Sequence, residues 1–278
     1  MKLARYKDAD GTHFGLVAND KIHRLTFDGS AQALIAAWDT MQSDCAAALE
    51  GDGQALSAVA LLAPVPRPGK VFAIGLNYAD HIEESGMDSP SEQIWFTKAV
   101  TSVNGPFDPI LIPKVSQTVD YEAEMVAIIG KKGKNLAKED VAGHIFGYCV
   151  GNDVTERMWQ HRTPQWSLGK SFDTHAPIGP WITTADEIED PHGLDIRCAV
   201  NGEIRQSSNT KHLVFNVWQQ ISQLSQAMTL EPGDLIFTGT PSGVGAAMDP
   251  MVFLQDGDVL VTEIEKLGRI EGHLTNES

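Results

Sequence analysis

The chain opens with three short runs, residues 3–6, 14–18 and 22–25, in which apolar positions are set off by polar stretches. That pattern predicts short strands joined by turns. From Ser30 to about residue 56 the composition turns Ala-rich, and Ala31, Leu34, Ile35 and Trp38 recur at helical spacing. Ala63-Pro64-Val65-Pro66-Arg67-Pro68-Gly69 follows. Prolines at alternate positions fix φ and favour an extended, semi-rigid connector, so the domain boundary is expected here. Residues 1–63 read as a small N-terminal α/β module and residues 64–278 as a larger domain.

In the larger domain, residues 71–74 predict a buried strand, and residues 79–85 a helix for which Asn77 is a candidate cap. Residues 122–129 predict a strong strand ended by Gly130. The clearest helical pattern covers residues 213–228, and further strands are expected over 233–238 and 259–264. Strands and helices do not alternate as a doubly wound sheet requires. The expected class is therefore α+β with a rolled, largely antiparallel or mixed sheet.

Composition changes this picture only by exclusion. A chain of 278 residues can bury a substantial core without a disulfide or metal to help it fold. A net charge of −16 repels a phosphate backbone, and no cluster of Lys and Arg interleaved with aromatics offsets it, so no nucleic-acid partner is expected. The three cysteines, Cys45, Cys149 and Cys198, lack metal-type spacing and point to buried thiols in a reducing compartment. The start carries no apolar stretch after its charges, and no run approaches the roughly 18 apolar residues of a membrane span. The expectation is a cytoplasmic protein with no membrane partner.

The candidate chemistry is concentrated in Asp120-Tyr121-Glu122-Ala123-Glu124, which leads into Met125-Val126-Ala127-Ile128-Ile129. On a strand, Asp120, Glu122 and Glu124 share one face, with i and i+2 roughly 6.5–7 Å apart, so two glutamates can converge on one cation. An exposed acidic face is the competing reading. The apolar continuation implies a strand entering a core, where like charges need a partner, and this favours a metal. Asp153 ends another apolar run and completes a three-carboxylate set; alternatively it caps a helix starting near Thr155. Hard oxygen donors without Cys or His suit Mg²⁺ or Mn²⁺, with Ca²⁺ also compatible and zinc disfavoured.

Several side chains elsewhere could work with such a centre. If residues 79–85 are helical, His81 and Glu84 stand one turn apart, and a carboxylate beside an imidazole suits a general base; an exposed charged turn is the alternative. Pro164-Gln165-Trp166-Ser167-Leu168 offers no upstream phosphate-loop glycine before Gly169-Lys170, and Lys170 could either neutralise an enolate or carboxylate oxygen near a cation or sit in solvent. Thr240 lies in a Gly-rich loop that could let backbone approach a ligand or simply make a tight turn.

Asp120-Tyr121-Glu122-Ala123-Glu124, Gly151-Asn152-Asp153, Gly169-Lys170-Ser171-Phe172-Asp173 and Gly239-Thr240-Pro241-Ser242-Gly243-Val244-Gly245, preceded by Gly75-Leu76-Asn77-Tyr78-Ala79-Asp80-His81, stand in one order. In this the chain resembles the fumarylacetoacetate hydrolase family from about residue 64 to its end, and within it the branch of acylpyruvases and 2,4-diketo-3-deoxy sugar acid hydrolases. The resemblance implies a rolled mixed-β, barrel-like fold, a Mg²⁺ or Mn²⁺ centre and a homodimer. It implies Glu122, Glu124 and Asp153 as metal ligands, His81, Glu84 and Lys170 as catalytic groups, and Arg157, Gln160 and Thr240 as substrate-positioning groups. It also makes residues 79–86 a mobile lid, with Gly86 and Pro90 bracketing a hinge. Glu156 and Met158 depart from the family pattern, as do His161-Arg162-Thr163-Pro164 and His175, which bears on specificity more than on chemistry.

The expected activity is metal-dependent hydrolysis of the C–C bond of a 2,4-dioxo acid, giving a pyruvate-type product and a second carboxylic acid. Decarboxylation of a 2-oxo diacid, or isomerisation of an unsaturated one of the 2-hydroxyhepta-2,4-diene-1,7-dioate type, would pass through the same enolate. A non-catalytic binding protein should have lost His81, Glu84 or Lys170, and none is lost. A calcium-stabilised structural domain would need about 6–8 oxygen ligands, more than the three carboxylates found.

Overall fold

A computed structural model describes residues 1–86, 88 and 90–278. The three N-terminal runs are strands, Lys2–Asp8, Gly11–Ala18 and Lys21–Arg24, forming an antiparallel meander. The second hairpin turns on Asn19 and Asp20, both at positive φ (50° and 59°), the conformation that matches strand twist in a two-residue loop and that Asn and Asp tolerate. The Ala-rich segment is two helices, Ala31–Ala37 capped by Ser30 and Gln42–Glu50, joined by a short 3-10 turn.

The meander is continuous with the sheet of the larger domain. Lys2–Asp8 runs antiparallel to Ala176–Thr184, with Leu3 opposite Ile182. From there the same sheet continues through Ile145–Asn152, Ala123–Ile129, Leu235–Phe237, Val71–Gly75 and Ile94–Thr97. Its order begins at Gln54–Ala55 and ends at Ile94–Thr97, two different edges, so the rolled sheet is mixed but does not close into a barrel. A second, five-stranded sheet contains Glu203–Asn209, Asp195–Val200, Val259–Ile264, Gly268–Asn276 and Ile110–Ile112.

Ala123–Ile129 explains why the layers hold together. Every one of its residues is buried. Alternation sends Met125, Ala127 and Ile129 into one apolar cluster with Ile196, Leu260 and Ile264. Val126 and Ile128 enter another, with Leu3, Leu16, Leu34 and Phe237. A strand packed on both faces reads as a continuous apolar run, which is what the sequence has here.

Two expected elements start later than predicted. The strand over 122–129 begins at Ala123, because Val119–Asp120 pairs separately with Thr155–Glu156 and the chain bends at Tyr121-Glu122. The helix over 213–228 is Val217–Ala227. Asn216 and Gln219 form a reciprocal capping box, while Val214 and Phe215 donate their backbone N–H groups to Asn77. Among the described residues, no helix is long and apolar enough to cross a membrane.

Candidate metal centre and active site

Strand register brings the acids together. Ala123–Ile129 and Ile145–Asn152 are antiparallel neighbours with Glu124 opposite Gly151, and Asp153 follows at the second strand's end. The Asp153 backbone N–H donates to the Glu122 carbonyl (2.8 Å), and the Glu122 N–H donates to Asn152 Oδ1 (3.0 Å). Glu122, Glu124 and Asp153 each present one carboxylate oxygen within 4.8 Å of the others, and all three are buried. The break at Tyr121-Glu122 turns Asp120 away from this set. Its carboxylate instead accepts from the Gly245 and Ala246 backbone N–H groups (2.8 and 3.0 Å) and from Arg157 Nε (2.8 Å).

Cations are distributed unevenly over the three acids. Lys170 Nζ lies 2.7 Å from both Glu122 Oε2 and Asp153 Oδ2. Lys98 Nζ is 2.6 Å from Asp153 Oδ1, and Arg157 Nη1 is 2.7 Å from Glu122 Oε1. Glu124 accepts from the Gly239 backbone N–H (2.6 Å), and no cationic side chain among the described residues pairs with it. Burial would push Glu122 up, but Lys170 and Arg157 outweigh it and hold its carboxyl at about 2. Burial, with repulsion from Asp153 and Glu122, pushes Glu124 well above the usual carboxylate range. Burial lowers Lys98 despite Asp153, whereas Asp153 and Glu122 overcome burial to raise Lys170.

These observations fit a hard divalent cation. The donors are all carboxylate oxygens, and the one acid lacking a cationic partner is where a positive ion would relieve most repulsion. Asp120, Glu122, Glu124 and Asp153 face Lys98, Arg157 and Lys170 as the cluster's buried charges. With every group ionised, a divalent ion leaves that cluster positive by one charge, which suits a carboxylate-bearing ligand. The three donors leave room for further ligands, as a catalytic site requires and a closed structural cage does not.

The cluster opens into a cavity of about 410 Å³, lined by Glu122, Glu124, Lys170, Arg157, Gln160 and Thr240, and also by His81 and Glu84. Of the nine residues expected as metal ligands, catalytic groups and substrate-positioning groups, eight line this cavity; Asp153 does not, and is held against Lys170. Its other wall is apolar, formed by Ile74, Leu76, Phe96, Trp166 and Val244.

Helix Ala79–Ser85 places the imidazole–carboxylate pair, with His81 Nδ1 3.3 Å from Glu84 Oε2. Asn77 does not cap this helix. Tyr78 holds that position, and the Asn77 amide is spent on Phe215 and on the Thr238 carbonyl. Instead Asp80 Oδ2 accepts from Ser208 and Ser242 (both 3.2 Å), and Glu84 accepts from the Gly243 N–H (2.9 and 3.1 Å), tying the helix to the Gly-rich loop. Gly86 ends it in the left-handed conformation (φ 66°). Met87 and Ser89, within the expected hinge, lie outside the described residues.

Arg157 and Gln160 sit on the short helix Arg157–Gln160, whose cap is Glu156 rather than Asp153. Arg157 Nη1 donates to Gln160 Oε1 at 3.0 Å, so the two form one unit. His161 also lines the cavity, whereas His175 is buried away from it with Nε2 2.8 Å from the Leu111 carbonyl, and burial lowers it to about 4.

Two buried polar residues at the site were not singled out from the sequence. Lys98 could have been, since it ends the apolar run Ile94-Trp95-Phe96 as Asp153 ends its own. Gln206 carries no such mark. It holds Thr240 Oγ1 and the Pro241 carbonyl through Nε2 (both 2.8 Å) and accepts from the Ala123 N–H (2.9 Å).

Residues 70–275 match the family described as fumarylacetoacetate (FAA) hydrolase C-terminal, and residues 1–64 match one described as Rv2993c-like, N-terminal. The chain is 50% identical over 216 residues to mitochondrial oxaloacetate tautomerase fahd2 of Xenopus laevis, covering 77% of this chain and 68% of the relative. Human mitochondrial oxaloacetate tautomerase FAHD2A is 48% identical over 216 residues, covering 77% and 69%. Among solved structures, a maleylpyruvate hydrolase from Sphingobium sp. SYK-6, in complex with manganese(II) and pyruvate, superposes with a TM-score of 0.86 at 33% identity, covering 100% of both chains.

Proposed function

The chain belongs to the fumarylacetoacetate hydrolase family of hydrolases and isomerases, and from that premise we propose that it enolises a small 2-oxo acid at a Mg²⁺ or Mn²⁺ centre. Its reaction on this reading is the keto–enol tautomerisation of a 2-oxo diacid of the oxaloacetate type. One observation carries the proposal: a buried carboxylate cluster bridged by Lys170 shares a cavity with the His81–Glu84 pair. Relatives about half identical in sequence, named oxaloacetate tautomerases, support placing tautomerisation ahead of the C–C hydrolysis expected from motifs.

When bound, the divalent ion would polarise the 2-oxo group as a Lewis acid. Lys170 is the fixed cation beside the developing enolate oxygen, and Arg157, Gln160 and Thr240 bind and orient the carboxylates. His81 takes the C3 proton on the nitrogen that faces away from Glu84, and Glu84 stabilises the imidazolium. The imidazolium then gives up its proton as the C2 oxygen takes one, so C2=O becomes C2–OH and a C2=C3 double bond forms, with no atom gained or lost. The division into residues 1–63 and 64–278 belongs to the same proposal, with all these residues in the second part.

The likeness to maleylpyruvate hydrolase over the whole chain favours a second reading. In it His81, helped by Glu84, directs water at the C4 carbonyl of a 2,4-dioxo acid. The C3–C4 bond breaks, C3 gains a proton, and pyruvate and a second acid leave. Two assays separate the readings: loss of enol ultraviolet absorbance from oxaloacetate, and pyruvate release from acetylpyruvate coupled to lactate dehydrogenase. Each is run with Mg²⁺, Mn²⁺ or EDTA. Metal-dependent enol conversion that disappears in His81→Ala supports tautomerisation. Pyruvate release without enol conversion selects hydrolysis, and inactivity in both assays refutes the proposal.

A further inference from the structure

Gln206 lies on strand Glu203–Asn209, opposite Cys198, and is 1% exposed. Its amide makes three hydrogen bonds, and their chemistry fixes its orientation. The Ala123 N–H can only donate and the Pro241 carbonyl can only accept, so Oε1 must face Ala123 and Nε2 must face the Gly-rich loop. Nε2 therefore donates to Thr240 Oγ1 at 2.8 Å.

Thr240 lines the cavity and is 4% exposed. A hydroxyl that accepts from an amide keeps its own hydrogen for another partner. No protein acceptor for that hydrogen exists among the described residues, so it is available to a group inside the cavity. Ala123, which anchors the other end of Gln206, lies between Glu122 and Glu124. One buried amide thus ties the carboxylate cluster to the loop opposite it.

We infer that Gln206 is a positioning residue that commits the Thr240 hydroxyl to donate to the carboxylate of the bound 2-oxo acid. This rests on the reading of the cavity as a 2-oxo acid site. Without the amide, nothing on the protein side occupies the hydroxyl's acceptor site, its hydrogen is no longer held for the cavity, and the hydrogen bond to the substrate weakens.

The test is pyruvate binding to the Mn²⁺-loaded full chain by titration calorimetry, with wild type, Gln206→Met, Thr240→Val and the double variant. A hydrogen bond to a charged group is worth about a tenfold change in affinity or more. Each single variant should bind pyruvate about tenfold more weakly, and the double variant no more weakly than Thr240→Val alone. In turnover the loss should fall on KM, with kcat nearly unchanged, because the bond serves substrate and transition state alike. Mn²⁺ affinity should stay at the wild-type value.

Independent, additive losses would overturn the inference, as would loss of Mn²⁺ affinity in Gln206→Met, which would mark a structural role. Should Gln206→Met not fold, Thr240→Val still decides: pyruvate binding at wild-type affinity in that variant refutes the inference alone. Failure of the wild type to bind pyruvate refutes the 2-oxo acid reading and this inference with it.

Discussion

Replacing Glu124 by glutamine tests the centre where its charge is least balanced. The amide keeps the shape of the side chain and its acceptor for the Gly239 N–H, but cannot carry the charge. The nearest oxygens of Glu122 and Asp153 lie within 4.8 Å. Two unit charges at that separation repel by ~3 kcal/mol at the effective dielectric suited to protein sites. With burial added, the metal-free protein keeps Glu124 protonated well above the usual carboxylate range.

Above the unfolded-state value, roughly 4.3, the native chain holds a proton on Glu124 that the unfolded chain has lost. This contribution to stability is fully present below that pH, and is lost as pH rises to the raised native value. Glu124→Gln should therefore lie within about 1 kcal/mol of metal-free wild type near pH 5 and be the more stable of the two near neutrality, because it lacks this part of the fall with pH. Metal loading should do the opposite. At a Mn²⁺ concentration 100 times Kd, wild type gains about 2.7 kcal/mol, a rise in Tm of about 5 °C for a chain of this size. The variant should show almost none of it. Thermal melts from pH 5 to 8 with Mn²⁺ or EDTA measure both effects, and calorimetry in buffers of different ionisation enthalpy counts the proton released on binding. A full Mn²⁺ shift in Glu124→Gln, or a metal-free variant several kcal/mol less stable at pH 7, would refute the argument.

The same geometry sets four further outcomes. His81→Ala should lower kcat by about 10²–10⁴-fold while Mn²⁺ affinity stays unchanged, since the imidazole contacts Glu84 and not the carboxylate cluster; parallel loss of metal would refute the assigned role. Lys98→Met breaks a fully buried pair 2.6 Å long and should destabilise the metal-free chain by about 3–5 kcal/mol in urea melts; a change below about 1 kcal/mol would show that Lys170 suffices for Asp153. At Gly75 a Cβ would sit 2.3 Å from Trp166 Cζ3, so Gly75→Ala must displace an aromatic cavity wall and should raise KM; unchanged kinetics would remove Trp166 from the substrate's surroundings. Removing residues 1–63 strips Lys2–Asp8 from Ala176–Thr184 and uncovers half of an apolar cluster, so the remainder should aggregate rather than melt cooperatively.

The site was more legible in the sequence than the sheets that carry it. Glu122, Glu124 and Asp153 announced themselves because each adjoins an apolar run, where an acid has no cause to be unless something balances it. The regular strand from which they were read is not what assembles them. Asp120, placed on the same face by period-2 counting, turns away to Arg157, because the chain bends at Tyr121-Glu122 and changes strand partner. Local periodicity cannot register such a bend, since pairing with Thr155–Glu156 is decided by residues some 30 positions on.

The N-terminal module shows the same limit from the other side. Its strands were legible locally, and its Asn19-Asp20 turn and Ser30 cap are local features, whereas its pairing with Ala176–Thr184 lies more than 170 residues away and leaves no period in the chain. Lys98 and Gln206 stand between these cases. Both are long polar side chains buried completely enough that every partner is specified, yet Lys and Gln are usually solvated, so composition argues against noticing either. Their partners come from distant strands and loops: Asp153 for Lys98, and Ala123, Thr240 and Pro241 for Gln206. Motif reading finds groups that face the ligand, because those recur at fixed local spacing. Groups that orient them are held by tertiary contacts alone, and their effects should appear in coupled substitutions rather than in any single motif.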